Sequence, residues 1–378
     1  MPKKFVGCVF LVLSAFLLNT AACRPGGREG LTYSAGAYPE AEKIFHFNPG
    51  WLGADAALTI PLGKERTLWL FGDTFVATST SHIRSESRMV RNTIALQEGN
   101  DPGSASIMYY WGREADGSPA SYFPDRDKEW YWPGHGIRLE EGPLVVFLTR
   151  IVKTSDDVMG FACTGYALAV INNPDDSPKD WSPVIVDAPA GKFDAVPATA
   201  VLRDGDYVVA LAIKQEGMHA GTFVRWRADE LAGAKLGAAE WWAGDERGWV
   251  PETELGPDGP DFILEDAGPE CSLHWDRRTQ SFLHIASYGF GASTIGMRTA
   301  PSYLGPWTHP LYIYRPPESN APRPLVYAAK AHPELRGPSE NDLLITYATN
   351  SFVFGDLFTP EGQRFLYWPR FVILRLHP

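Results

Sequence analysis

Short runs of β-branched and aromatic residues recur along the chain, each closed off by turn-forming residues. Thr67-Leu-Trp-Leu-Phe71, Leu144-Val-Val-Phe-Leu148, Tyr166-Ala-Leu-Ala-Val-Ile171, Tyr207-Val-Val-Ala-Leu211, Phe282-Leu-His-Ile-Ala286 and Leu343-Leu-Ile-Thr-Tyr347 are the clearest of them. Glu141-Gly142, Asp204-Gly205 and Asp276-Arg-Arg-Thr279 provide turn signals before or after such runs. This pattern predicts meandering antiparallel hairpins. No long segment carries apolar residues at helical spacing. The best helical candidate, Ala228 to Trp242, is broken by Gly233 and Gly237.

A second pattern overlies the first. Small-residue segments with one polar or charged side chain recur at Gly53-Ala-Asp55, Pro133-Gly-His135, Phe193-Asp194, Gly268-Pro-Glu270 and Ala329-Lys330-Ala-His332, roughly 60–80 residues apart. Each is followed by a strand, a turn and a second strand. Five such units predict an all-β fold, a single five-bladed β-propeller of four-stranded antiparallel blades, with the polar residues converging on one central funnel. A two-sheet sandwich plus a second domain is the competing architecture.

The first residues read as an address. Lys3 and Lys4 precede an uninterrupted apolar stretch, Phe5 to Leu18, of signal-peptide length. Leu18-Asn-Thr-Ala-Ala-Cys23 then resembles a bacterial lipobox, with Thr20 where Leu is usual. By that resemblance residues 1–22 are a lipoprotein signal peptide and Cys23 carries the lipid. Ordinary cleavage near Ala21-Ala22 is the alternative. Residues 23–40, opening with Arg24-Pro-Gly-Gly, read as a flexible tether, and residues 41–378 as the propeller. The expected location is the bacterial cell envelope, and Arg24 after the lipidated cysteine points, by lipoprotein analogy, to the outer membrane if the cell is Gram-negative.

Composition narrows the functions. Asp+Glu is 45 against Lys+Arg 34, a net charge of −11, which repels phosphate backbones and argues against a nucleic-acid partner. The 13 Trp, 15 Tyr and 20 Phe supply aromatic faces that suit sugar rings as well as a core. Cys163 and Cys271 read as buried apolar residues. The chain contains no P-loop, His-Glu-x-x-His, Cys-x-x-Cys or Gly-x-Ser-x-Gly motif. Gly289-Phe-Gly-Ala-Ser-Thr294 imitates a dinucleotide loop but lacks the third glycine and the following helix. No cofactor is expected. No loop has the ligand spacing of a Ca²⁺ site, although an acidic channel suits a hard cation.

Gly53-Ala-Asp55, Leu68-Trp-Leu-Phe-Gly-Asp-Thr-Phe75 and Arg91-Asn92, followed in order by Leu202-Arg-Asp-Gly-Asp-Tyr207, Glu270-Cys-Ser-Leu273, Ala300-Pro-Ser-Tyr-Leu-Gly-Pro-Trp307, Ala331-His-Pro-Glu334 and Tyr347-Ala-Thr-Asn350, form a family resemblance. Over roughly residues 45–376 the chain resembles a bacterial family of secreted five-bladed propellers, long catalogued as a domain of unknown function. Some members of that family are endo-D-arabinanases. The resemblance implies a glycoside hydrolase whose Gly-x-Asp and Phe-Gly-Asp-Thr aspartates are catalytic. The chain departs by reading Asp55-Ala-Ala where arabinanase-type members look more like Asp-Leu-Gly, which leaves the sugar open.

Glycosidic cleavage needs two carboxyl groups, one to protonate the leaving oxygen and one to act as nucleophile or activate water. Asp55 and Asp73, separated by the turn Pro61-Leu-Gly-Lys-Glu-Arg66, are the expected pair. If the segment is a hairpin, they sit at the same end of adjacent strands. Glu270 is the third catalytic candidate, as acid, pKa modulator or hydroxyl ligand, with a buried ion pair to Lys330 as its competing role. Arg91, Asn92, Trp132, His135, Asp194 and His332 are candidate substrate-binding residues, and Trp51 and Tyr131 join Trp132 as candidate sugar platforms. The expected partner is a polysaccharide bound by a monomer that meets the membrane through its lipid alone. A non-catalytic carbohydrate-binding surface lipoprotein on the same scaffold is the alternative.

Overall fold

The computed structural model describes residues 32–157, 159–189 and 191–377. The expected signal peptide over residues 1–22, the expected lipidation site Cys23 and the expected tether as far as residue 31 lie outside them. The described chain is an all-β, five-bladed propeller.

The inner strands of the five blades are Trp51–Gly63, Glu129–Arg138, Ala195–Asp204, Cys271–Asp276 and Pro324–His332. Neighbouring inner strands contact one another in chain order, and the fifth returns to the first, closing the circle. Each of the five polar segments singled out in the sequence lies on an inner strand or immediately before one. The six apolar runs all fall within strands, five of them the second strand of a blade, where both faces are covered and continuous apolarity is expected. The helical candidate shrinks to Ala228–Ala232, which stops at Gly233, and Glu240–Trp242 is a strand.

Each blade adds successive antiparallel strands outward. The fifth is completed from the other end of the chain, because Thr32–Ala37 pairs along Arg370–His377, Thr32 opposite His377 and Ala37 opposite Val372. The expected boundary at residue 40 therefore moves to Thr32. Tyr33 and Ala35 alternate inward against the core between the fourth and fifth blades. Small residues on both faces of this strand make it read as linker.

The apolar core is divided into layers between blades rather than gathered at the centre. Leu58, Ile60, Leu68, Val146, Leu148 and Ile171 fill the layer between the first and second blades. Phe45, Trp51, Trp69, Phe71 and Phe371 fill the one between the fifth and first. Each of these side chains contributes roughly 1.5–3 kcal/mol by leaving water. A channel is left along the axis, and a cavity of about 420 Å³ lies in it between the inner strands, lined by apolar residues such as Leu58, Ile137, Ala200 and Leu273 together with Thr59, His135 and Lys330. Cys163 and Cys271 are free thiols in different blades.

Candidate active site

The first hairpin loses its regular register where the two aspartates meet. Ala54 pairs with Thr74 and Ala56 with Phe71, with an irregularity on either side of Asp55. Two glycines make this possible. A Cβ on Gly72 would lie 2.5 Å from Asp55 Oδ1, and one on Gly53 would collide with the Tyr367 carbonyl oxygen. The glycines of Gly53-x-Asp55 and Phe71-Gly-Asp73 are thus the space in which the Asp55 carboxylate and its covering segment sit.

Backbone strain gathers around Asp55. Ala56, Ala57, Ala328 and Tyr367 all hold left-handed φ of 60–63°, an arrangement costing of order 1 kcal/mol or more per non-glycine residue. Buried Lys330 secures two of these corners, its ammonium donating to the carbonyls of Ala56 and Ala328. It also lies 3.8 Å from Glu270, the ion pair anticipated as that residue's structural role.

Asp55 Oδ2 accepts from the Tyr327 hydroxyl at 2.7 Å and the Tyr367 hydroxyl at 3.3 Å. Burial, then the charges of Glu270 and Asp73, push its pKa up to about 8, against the lowering effect of the two tyrosines. Asp73 is served differently. Trp132 Nε1 donates to Oδ1 at 2.9 Å and Arg91 Nη1 to Oδ2 at 3.1 Å. Burial raises its pKa, while both partners favour the carboxylate. Burial also raises Glu270, opposed by Lys330. Three carboxyl groups from the first and fourth blades are thus gathered at one mouth of the channel, in environments that separate their protonation.

Several expected binding residues do other work. Asn92 is fully buried; its amide donates to the carbonyls of Phe123 and Tyr131 and its oxygen accepts from Phe123 N, so no edge remains for a sugar. His332 is also fully buried, between the hydroxyls of Thr59 at 2.6 Å and Thr346 at 2.7 Å. His135 accepts from Val201 N at 2.9 Å and donates to the Thr59 carbonyl at 3.1 Å, stapling three blades. Asp194 is exposed and accepts from Glu216 N, a bond within its own blade. Trp51 and Tyr131 are core. Trp132 is half-buried with its edge against Phe161, and its N–H is committed to Asp73. Arg91 makes one bond to Asp73 rather than a bidentate pair, and its guanidinium lies over Trp130 at 4.3 Å.

Tyr327 and Tyr367 escaped sequence reasoning. Tyr327 lies three residues before Lys330 on a strand already marked as channel-lining, which was its only signal. Tyr367 is delivered by buried Arg84, which donates to the carbonyls of Leu52, Leu357, Gly362 and Leu366 and so fixes the segment before it. Nothing local marks that long-range clamp. Among the described residues no group of three or more His, Cys, Asp or Glu is placed to hold a metal ion.

Fold and site together define a five-bladed propeller whose acidic groups converge at one end of its axis. The sequence matches the profile of the family described as a domain of unknown function, DUF5005, over residues 40–376, and the chain belongs to that family. This agrees with the sequence resemblance in family description and fold. No curated protein matches the sequence. Among solved structures, a presumed hydrolase from Bacteroides ovatus superposes with a TM-score of 0.70 at 15% identity, over 90% of each chain. The catalytic domain of a GH62 α-L-arabinofuranosidase from Coprinopsis cinerea gives 0.49 at 10% identity, covering 91% of this chain and 96% of that one. An endo-arabinase from Bacteroides thetaiotaomicron gives 0.43 at 13%, covering 86% and 95%.

Proposed function

We propose that the protein is a glycoside hydrolase, with Asp55 as general acid and Asp73 as nucleophile or base. The observation that carries this reading is the contrast between the surroundings of two neighbouring carboxyls. Asp55 is held protonated near neutrality by burial and two acidic neighbours, whereas Asp73 is supplied with two N–H donors that stabilise its charge. Tyr327 and Tyr367 occupy one oxygen of Asp55 and leave Oδ1 to carry the proton delivered to the leaving group. Glu270 keeps that proton in place by raising the cost of ionising Asp55. Furanoside glycans of the arabinan type are the leading substrate, on the strength of the family resemblance.

The same reading extends to location. It places the protein in the bacterial cell envelope, exported, lipidated at Cys23 and, if the cell is Gram-negative, held at the outer membrane as a monomer; the leader sequence supports this part of the proposal. Radiolabelled palmitate incorporation that disappears in Cys23→Ser tests the anchor. The catalytic assignment is tested by digesting a glycan panel, arabinan included, with protein lacking residues 1–23. Product that vanishes in both Asp55→Asn and Asp73→Asn supports it. Glycan binding with no product at any enzyme concentration returns the protein to the carbohydrate-binding alternative.

A further inference from the structure

Phe290 is 76% exposed and Phe352 37% exposed, yet their rings meet at a centroid distance of 5.4 Å. They come from different blades. Phe290 follows the second strand of the fourth, Ser281–Tyr288, and Phe352 the second strand of the fifth, Asp342–Ser351. Antiparallel pairing puts the ends of these strands level with the starts of the inner strands, so both rings stand at the mouth that holds the carboxyls. Single exposed apolar side chains are ordinary; a two-blade pair beside a concave acidic site is not scatter.

The link to the acid is short. Phe352 is two residues beyond Asn350, whose amide donates to the Tyr327 hydroxyl at 3.4 Å, and that hydroxyl donates to Asp55. On the other side, Val326, the neighbour of Tyr327, donates to Gly291 O at 2.8 Å. The Phe290 turn is therefore clipped to the strand that carries Tyr327. Ser293 Oγ donates to Gly289 O at 3.1 Å and closes the turn on itself. Arg323 and Asp356 form an ion pair at 2.9 Å, and Asp356 also accepts from the hydroxyl of Ser351, the residue before Phe352, at 2.6 Å.

We infer that Phe290 and Phe352 form a binding platform for a neutral sugar ring of a glycan chain, next to the ring held at Asp55 and Asp73. A sugar's C–H face covers aromatic surface that water now wets, while its hydroxyls remain free for polar neighbours. The platform is fixed by backbone bonds before ligand arrives, which lowers the entropy lost on binding. The glycan occupant rests on the hydrolase reading through continuity with the carboxyl mouth, whereas the platform itself requires only binding.

Affinity electrophoresis in gels containing linear arabinan or xylan tests this, with Asp55→Asn as the parent so that the matrix is not digested. Retardation of the parent by at least one polysaccharide is expected. Adding Phe290→Ala and Phe352→Ala weakens it about tenfold, and Phe290→Trp with Phe352 retained preserves it. Both rings are at the surface, so melting temperatures within a few degrees of the parent verify folding. In the active enzyme the double alanine variant raises KM with kcat little changed. Equal retardation of parent and double alanine variant overturns the platform and leaves the carboxyl assignment standing. So does absence of retardation of the parent in both matrices. Retardation that depends on the two rings, with no hydrolysis by the wild-type chain, overturns the hydrolase and keeps the platform. A wild-type dimer in sedimentation that the alanine variant dissolves assigns the patch to self-association and overturns the inference.

Discussion

Tyr327 and Asp55 are 272 positions apart, and the 2.7 Å bond between them joins the inner strands of the last and first blades. Closure of the ring and assembly of the acid are therefore one event. The bond favours the ionised form of Asp55, opposing burial. Tyr327→Phe should raise the Asp55 pKa further and move the alkaline limb of the pH–rate profile upward by about one pH unit. An unchanged limb would detach Asp55 from the acid role.

Asp55 has a folded pKa of about 8 against an ordinary value of 3.8. The raised value means that the folded state keeps a proton the unfolded chain releases. The associated stability is whole below about pH 4 and is lost as pH rises through about 8. Asp55→Asn should therefore melt several degrees above wild type at pH 9, and this advantage should shrink at pH 5. Thermal denaturation at the two pH values checks it; an advantage independent of pH would sink the idea.

Trp132→Phe keeps an aromatic ring but removes one of the two donors to Asp73. The Asp73 pKa then rises, the acid limb of the profile shifts upward, and kcat at neutral pH falls by about 10–100-fold. Arg91→Met should act in the same direction on the other oxygen. A change confined to KM in both variants would place these residues on the substrate instead.

Lys330→Met leaves Glu270 without its cation and frees the strained corners at Ala56 and Ala328. The loss should be about 3–5 kcal/mol in chemical denaturation. Adding Glu270→Gln should recover part of it, because no uncompensated charge then remains. Additive losses would show that the pair is not coupled.

His135 has a pKa lowered to about 4 by burial. The unfolded chain takes up a proton near 6.5 and the folded one does not, so this residue's stability is present above about pH 6.5 and drains away as pH falls towards 4. His135→Gln should be less stable than wild type at pH 7 by about 1–2 kcal/mol and lose less between pH 7 and 5. Denaturant melts at both values measure the difference.

The fold was legible because the inner-strand segments repeat small residues around one polar group, and because second strands, covered on both faces, read as unbroken apolar runs. The positions of Asp55 and Glu270 at blade entries, and the Glu270–Lys330 contact, were legible for the same reason; Asp73 lies on a second strand and was marked instead by Phe-Gly-Asp-Thr and the expected hairpin. Asn92, His135 and His332 look like ligand-binding residues in sequence, but inter-blade packing commits their polar atoms to backbone and hydroxyl partners. That outcome depends on neighbours dozens or hundreds of positions away. Tyr367 was hidden because its placement comes from Arg84 and four carbonyls, none of which forms a local motif.

The Thr32–Ala37 strand has a practical consequence for any shortened version of the chain. A gene fragment starting at the domain boundary suggested by composition would expose the Arg370–His377 edge along its length, inviting strand addition by neighbouring molecules. In the intact protein, a pull from the amino-terminal side would load this clasp lengthwise, spreading the force over its rungs rather than peeling them one by one.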